Sequence, residues 1–501
     1  MSASRSPLLL RGARALLGDS FSLSDPLDVA IDGGRIAAIG PAGSLPAQAT
    51  TILLERRLLA PGMVNGHFHS HEHFQRGRHE NLPLELWMHN VRPVRPVPLT
   101  PRDAYLRTMI GAIECLRSGA TTVVDDLTLG AAIDRPLLDA VFQAYEDAGV
   151  RALVGFAMMD RAVIDNFPYV DACADADTLA RLRALPRPSP EAFHGLVREL
   201  ARSRHPQSNR VGVLVSCSAP QRCTEGFLRA SRRLADDLDL PVITHVQETR
   251  MQVVTGQSFY GHTMVEHLHA VGFLKDKTTL IHGVWLNPRE IELLARAGTT
   301  VQHNPWSNLM LGSGVAPVRE LLRSGVNVGM GTDGMSSTVT ANMLTTVGSA
   351  AALSKLRGED ADWLSAREAL SIATAGGARA FGFGDRLGRI EVGAIADLCA
   401  WRLDTIAFTP LADPVRQLVY GERGAGLDMV LVDGEPVMRD GRLVRVDEGA
   451  LLDEISSAVE RLAPEFALAE ASVTDIHRVM RAVLARCAAQ PLAADTYPAR
   501  L

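Results

Sequence analysis

A closed (β/α)8 barrel carrying a small β-sandwich built from both ends of the chain is the architecture that this 501-residue sequence predicts. Three observations support it. Short apolar strands alternate with helical stretches through the middle of the chain, which implies a parallel sheet with crossover helices. Roughly 320 residues are available for that alternation, enough for about eight strand–helix units. Turn-punctuated β signals flank it on both sides. Each flank alone holds too few strands to bury a face, so the two are expected to fold together.

Residues 1–58 supply the first flank, with segments such as Asp28–Asp32 and Thr51–Leu54 broken by Asp32, Gly33 and Gly34. The barrel is expected over 59–385. Its strands include Thr121–Val124, Val211–Ser216, Val242–His245, Thr279–His282 and Val326–Met330, and its helices Ala104–Arg117, Glu225–Leu238 and Pro288–Ala297. β signals return over 386–445, at Gly388–Gly393, Ala396–Trp401 and Met429–Asp433. The remaining segment, 446–501, reads as a helical extension ending in a proline-containing tail. Leu451, Leu452, Ile455 and Val459 recur near helical spacing, so one face wants a partner, either the barrel or a second subunit. A homodimer is the expected assembly.

The net charge of −6 and the absence of a basic stripe exclude a nucleic-acid partner. No apolar run reaches the ~20 residues of a membrane span. Six scattered cysteines read as reduced thiols, and no signal peptide is evident, so a cytoplasmic location is expected.

The chemistry is concentrated in four places. In Pro61-Gly-Met-Val-Asn-Gly-His67-Phe-His69 the two histidines are two apart on a strand and therefore share a face. At the carboxyl end of a first barrel strand they can chelate one metal ion. The alternative is a chance cluster, since His71, His73 and His79 follow. His245 ends the apolar run Val242–His245, and Glu248 lies three residues on, where a carboxylate can exchange protons with a metal-bound water and a leaving amine. His282 and Asp333 each follow an apolar strand and precede a glycine. Asp333 offers an oxygen ligand, and His282 can orient or stabilise the nucleophile. One divalent cation with three imidazoles and a carboxylate has the composition of a zinc site, with iron(II) the alternative.

With these motifs in place, the chain resembles the amidohydrolase superfamily, in the branch of triazine hydrolases and cytosine, guanine and S-adenosylhomocysteine deaminases. The similarity spans roughly residues 7 to 445 and includes His303-Asn-Pro-Trp-Ser-Asn308, Leu311-Gly-Ser-Gly314 and Gly331-Thr-Asp-Gly334. The resemblance implies metal ligation by His67, His69, His245 and Asp333, with Glu248 and His282 as catalytic partners. Two-metal relatives bridge their ions with a carboxylated lysine. No lysine precedes Lys275 here, so a single metal is expected.

Two departures bear on the substrate. Many deaminases of the branch carry a histidine where this chain has Ser218, and nucleoside-processing relatives place a glutamate shortly after the position of Trp87-Met88. Here that stretch reads Val91-Arg-Pro-Val-Arg-Pro96. Both weaken a nucleoside reading. Trp87, Ser218 and His303 are candidate substrate contacts, with Trp87 and Trp306 as stacking platforms or as core. Arg92 and Arg95 are either solvated loop charges or a means of recognising an acidic group on the substrate.

The leading reading is hydrolytic deamination of an amino-substituted nitrogen heterocycle, a small molecule. The alternatives are hydrolysis of an amide, urea or carbamate, displacement of chloride or a substituted amine, and a non-catalytic barrel module.

Overall fold

Among the residues that the computed structural model describes (6–128, 133–493 and 495–497), eight parallel strands form the barrel. They are Met63–Phe68, Ala120–Leu127, Arg151–Phe156, a fourth strand split into Val211–Val213 and Val215–Ser216, then Val242–Val246, Thr278–His282, Thr300–His303 and Val328–Met330. The first half of the split strand pairs with the third strand and the second half with the fifth, so the ladder passes through the break. Beyond the last strand, the Asp333 N–H donates to the His67 carbonyl at 2.9 Å and joins the end of the array to its beginning.

The barrel interior is packed. Gln302 fills the space between the first and last strands, and a Cβ at Gly66 or Gly329 would fall 2.1 or 2.3 Å from its amide, so any larger residue there would have to displace the Gln302 side chain. At the amino-terminal end, Phe381 and Phe383 pack with Val64, Val124, Leu153, Leu214, Ile243 and Ile281. The outer helices start where local chemistry directs. At Pro288–Ala297, Asn287 and Glu290 form a reciprocal capping box, Pro288 occupies the first turn, and Gly298 ends the helix in the left-handed conformation.

One ten-stranded sheet joins the two flanks. Leu8–Leu17 is its hinge, bulged between Arg11 and Ala13. It pairs with Leu27–Asp32 and Thr50–Leu53 along one half and with Arg57–Pro61 along the other. Arg57–Pro61 in turn pairs with Leu398–Arg402 from the far end of the chain, and Leu427–Val432 and Glu435–Arg439 extend that side. Leu10, Val29, Ile52, Leu398 and Leu431 share one core. Gly388–Gly393 does not form the expected β segment. It runs through turns, with left-handed φ values of +79° at Gly388 and +91° at Gly393, and only Ile395 makes an isolated bridge to Arg35.

Two helices end the chain, Glu448–Ala471 and Thr474–Ala488. The first packs on Pro101–Arg117 through Leu451, Ile455, Ala458, Leu462 and Phe466. Leu452, expected on that face, is instead 43% exposed, because the buried stripe runs one residue to the side. Ion pairs Arg102–Glu454, Arg117–Glu448 and Arg461–Asp103 line the seam. The second helix packs Ile476, Val479, Met480 and Val483 against Leu84–Val91. The last four residues of the tail and the first five of the chain lie outside the described residues. Among the described residues, no helix is long and apolar enough to cross a membrane.

Candidate functional site

Four carboxyl-end positions of the barrel converge. His67 is the penultimate residue of the first strand, with His69 just beyond its end. His245 lies in the fifth strand, His282 ends the sixth, and Asp333 follows the eighth. The backbone is bent to bring them inward: φ is +76° at His282, +66° at Asp333 and +48° at Gln247. Non-glycine residues in this region carry strain, which is retained where the surroundings over-determine it, as at functional sites.

Asp333 Oδ1 lies 3.3 Å from Nε2 of His69 and 3.5 Å from Nε2 of His67. Zinc–ligand arms of ~2.0–2.2 Å in tetrahedral array set neighbouring donors roughly 3.4 Å apart, so these separations fit the edges of one coordination shell. His67 Nε2 is buried and makes no hydrogen bond, as a nitrogen facing a cation requires. His282 meets Asp333 through the other oxygen, Oδ2, at 3.8 Å, outside that edge pattern.

Around the donors, a second set of groups fixes ring orientation. Nδ1 of His69 lies 2.7 Å from the Asp126 carbonyl, and Nδ1 of His245 lies 2.8 Å from the Ser218 carbonyl. Each therefore donates from Nδ1 and turns Nε2 inward. The Pro-Trp-Ser-Asn motif supplies two more: Ser307 Oγ donates to Asp333 Oδ2 at 2.7 Å, and Asn308 Oδ1 accepts from Nδ1 of His282 at 2.9 Å. Asn65 holds Thr332, the neighbour of Asp333, with its Oδ1 accepting from the Thr332 N–H at 3.0 Å.

Burial sets the charges. It lowers His245 and His69 well below the usual histidine range, reinforced by neighbouring imidazoles, so both are neutral donors. For Asp333, burial acts upward, but the imidazoles of His67, His282 and His69 outweigh it and hold the carboxyl well below its usual range. Glu248 goes the other way: burial, then the negative charges of Asp333 and Glu85, raise it well above the usual range. Its Oε2 stands 3.4 Å from Nε2 of His282, which burial lowers to about 4. A carboxyl whose proton affinity is raised by burial, set 3.4 Å from a neutral imidazole, is suited to proton transfer.

Asp126, at the end of the second strand, was not singled out from the sequence. It joins His67, His69 and His245 in one group of closely spaced potential donors, while His67, His282 and Asp333 form another. Both Asp126 carboxylate oxygens are buried without a hydrogen-bond partner. The Asp-Asp pair closing an apolar strand was the available signal. Glu72 was missed as well. It is buried, its Oε2 accepts from Ser336 Oγ, and burial followed by the Asp333 charge raises it to about 8.

The three candidate substrate contacts are placed differently. Ser218 borders the centre, its carbonyl on His245 and its Oγ accepting from Arg222 Nη1 at 3.1 Å. Trp87 sits in the apolar cluster between Leu84–Val91 and the last helix. His303 is buried, lowered to about 3 by burial and then by His282, and borders a small cavity with Val315, Ala316 and Arg319. Trp306 donates from Nε1 to the Thr338 carbonyl at 3.1 Å.

Comparison with known proteins agrees with this architecture. The chain is 33% identical over 441 residues to a 5-methylthioadenosine/S-adenosylhomocysteine deaminase of Desulforudis audaxviator, covering 87% of this chain and 94% of the relative. It is 33% identical over 435 residues to a 5'-deoxyadenosine deaminase of Methanothermobacter thermautotrophicus, covering 87% and 94%. Among solved structures, a zinc-bound adenosine deaminase from Xanthomonas campestris superposes with a TM-score of 0.80 at 30% identity, over 91% of this chain and 98% of the other. A zinc complex of the atrazine chlorohydrolase from Arthrobacter aurescens reaches 0.81 at 27% identity, over 90% and 100%. Residues 58–437 match the family model described as the amidohydrolase family, and the chain belongs to that family.

Proposed function

We propose that the protein is a metal-dependent aminohydrolase that releases ammonia from an amino-substituted nitrogen heterocycle, with one divalent cation held by His67, His69, His245 and Asp333. The observation that carries this reading is the placement of Glu248 beside His282 and next to the donor group, where a proton can be passed to a leaving amine. Zinc is the proposed ion, and iron(II) the alternative for the same donors. A cation held by these residues would supply Lewis acidity to the site, favouring an attacking water at neutral pH.

The side chains do the rest. Glu248 takes a proton from the attacking water at Oε2 and returns it to the departing nitrogen, which a poor leaving group needs before its bond to carbon breaks. Asn308 holds the proton of His282 on Nδ1, so Nε2 faces Glu248 as an acceptor. Burial of both groups keeps bulk water from intercepting the transfer.

Deamination is favoured over the other leaving groups by the deaminases among the relatives of about one-third identity. Displacement of chloride is the second reading, supported by the structural likeness to the chlorohydrolase. A non-catalytic barrel is disfavoured because the proposed ligands and Glu248 are all present. The proposal includes a division into 1–58 and 386–445 as one β unit, a 59–385 barrel and a 446–501 extension, with a cytoplasmic homodimer as the working form. Metal-loaded protein incubated with aminopyrimidines, purines and triazines, followed for ammonia and for mass change, tests it: a mass change of +1 with ammonia supports deamination, and chloride release points to the second reading.

A further inference from the structure

Beside the centre lies a cavity of about 420 Å³ whose wall is mostly apolar, with Phe74, Val94, Met158, Ile164 and Leu182 among its lining. It meets the donor group at His71, whose ring centroid is 5.2 Å from that of His69. Three arginines also line it, Arg92, Arg107 and Arg187, and among the described lining residues there is no aspartate or glutamate. An apolar pocket with a few placed polar groups is the form of a small-molecule site. A pocket whose charges are all positive selects for an anion.

Arg92 is the arginine left free to serve that role. It caps the helix Leu84–Val91, which Pro93 prevents from continuing, and the apolar residues of that helix are clamped by the last helix of the chain. Its Nη1 is buried with no hydrogen-bond partner, and no acidic side chain among the described residues forms an ion pair with it. A buried guanidinium nitrogen without a partner is costly unless something fills the vacancy in its hydrogen bonding. The other arginines nearby each make at least one hydrogen bond or ion pair, although Arg107 Nε is also buried without a partner, and Arg187 donates to the Arg183 carbonyl at 3.2 Å. Arg95 pairs with Glu465 at 3.1 Å, Arg107 donates to the His71 carbonyl at 3.3 Å, and Arg222 donates to Ser218 Oγ. Arg92 lines the same cavity as His71, the residue at which that cavity meets the donor group.

We propose that Arg92 binds an anionic group carried by the substrate, so that the molecule deaminated is a heterocycle bearing an acid substituent a short reach from the amino-bearing ring. This rests on the aminohydrolase reading above. A guanidinium meets a carboxylate or a phosphate through two parallel N–H···O bonds, and the pocket chemistry is the same for either.

Matched probes distinguish the alternatives: adenine, 9-(2-carboxyethyl)adenine and 9-(2-phosphonoethyl)adenine, with cytosine and cytosine-5-carboxylate as a second ring. Binding to metal-loaded wild-type protein is read by calorimetry, and turnover by ammonia release. The expected result is binding at least ~10-fold tighter for the acid-bearing member of at least one pair, with the better of carboxylate and phosphonate naming the acid. Arg92→Met should remove that advantage, raising Kd or KM for the acid ~10- to 100-fold while the neutral member and the metal content stay as in wild type. Arg92→Lys should restore part of it. Acid-selective binding without ammonia release would uphold Arg92 while sinking the aminohydrolase reading. Equal binding of acid and neutral members in every pair, or an Arg92→Met loss shared by both, would overturn the proposal.

Discussion

Nε2 of His282 stands 3.4 Å from Oε2 of Glu248, and Nδ1 of the same ring is tied to Asn308. One face of the imidazole is thus spent on orientation, and the other is turned to the carboxyl that moves protons. Glu248→Gln keeps the size of the side chain and cannot carry a proton. It should retain the metal and substrate affinity while kcat falls by at least ~10²-fold. Near-normal kcat in a metal-replete variant would move the proton shuttle elsewhere.

Asp126 stands outside the expected ligand set yet joins His67, His69 and His245 in one donor group. Its carbonyl orients His69, and its carboxylate Oδ2 lies 3.8 Å from Nδ1 of His245. Asp126→Asn should weaken metal affinity by ~10- to 100-fold, as loss of a supporting group typically does. A complete loss of metal, equal to that of His67→Ala, would show that Asp126 is itself a ligand.

His89 offers a pH test away from the metal. It is buried, and burial, then the charges of His477 and Arg222, lower it from 6.5 to about 3. The unfolded chain takes up this proton below about pH 6.5 and the folded chain does not, so the stability is complete above 6.5 and is lost as pH falls towards 3. At pH 5 the loss amounts to about 2 kcal/mol. His89→Gln should therefore compare more favourably with wild type at pH 5 than at pH 7.5 in thermal or denaturant unfolding. A gap independent of pH would contradict the burial of a neutral ring.

The last helix clamps Leu84–Val91, and His477 Nε2 lies 3.0 Å from the Leu86 carbonyl. Truncation after Asp447 should lower Tm, expose the apolar faces of Leu86 and Val91, and impair substrate binding more than metal binding. Unchanged stability and KM would show that the extension serves neither purpose.

The barrel was legible because its strands are apolar runs and its helices carry their own start and stop signals, as at Asn287 and Gly298. The histidines were legible because function needs them at strand ends. Arg151–Phe156 and Thr300–His303 carry no alternation to mark them, since barrel strands are buried on both faces. Gly388–Gly393 resembles a strand locally, yet its glycines serve turns. Asp126 and Glu72 escaped notice because a carboxylate's burial depends on strands distant in sequence. The sequence leaves Trp87 open between a ring platform and a core residue, and that choice depends on a helix nearly 400 residues away.

The central claim, one divalent ion driving hydrolytic release of ammonia, is tested most directly by titrating metal-free protein with zinc and measuring ammonia release on a turned-over heterocycle. Activity should rise in proportion to added metal and level off at one equivalent per chain, and His67→Ala should stay inactive throughout. Full activity without metal, or a plateau reached only at two equivalents, would contradict the account.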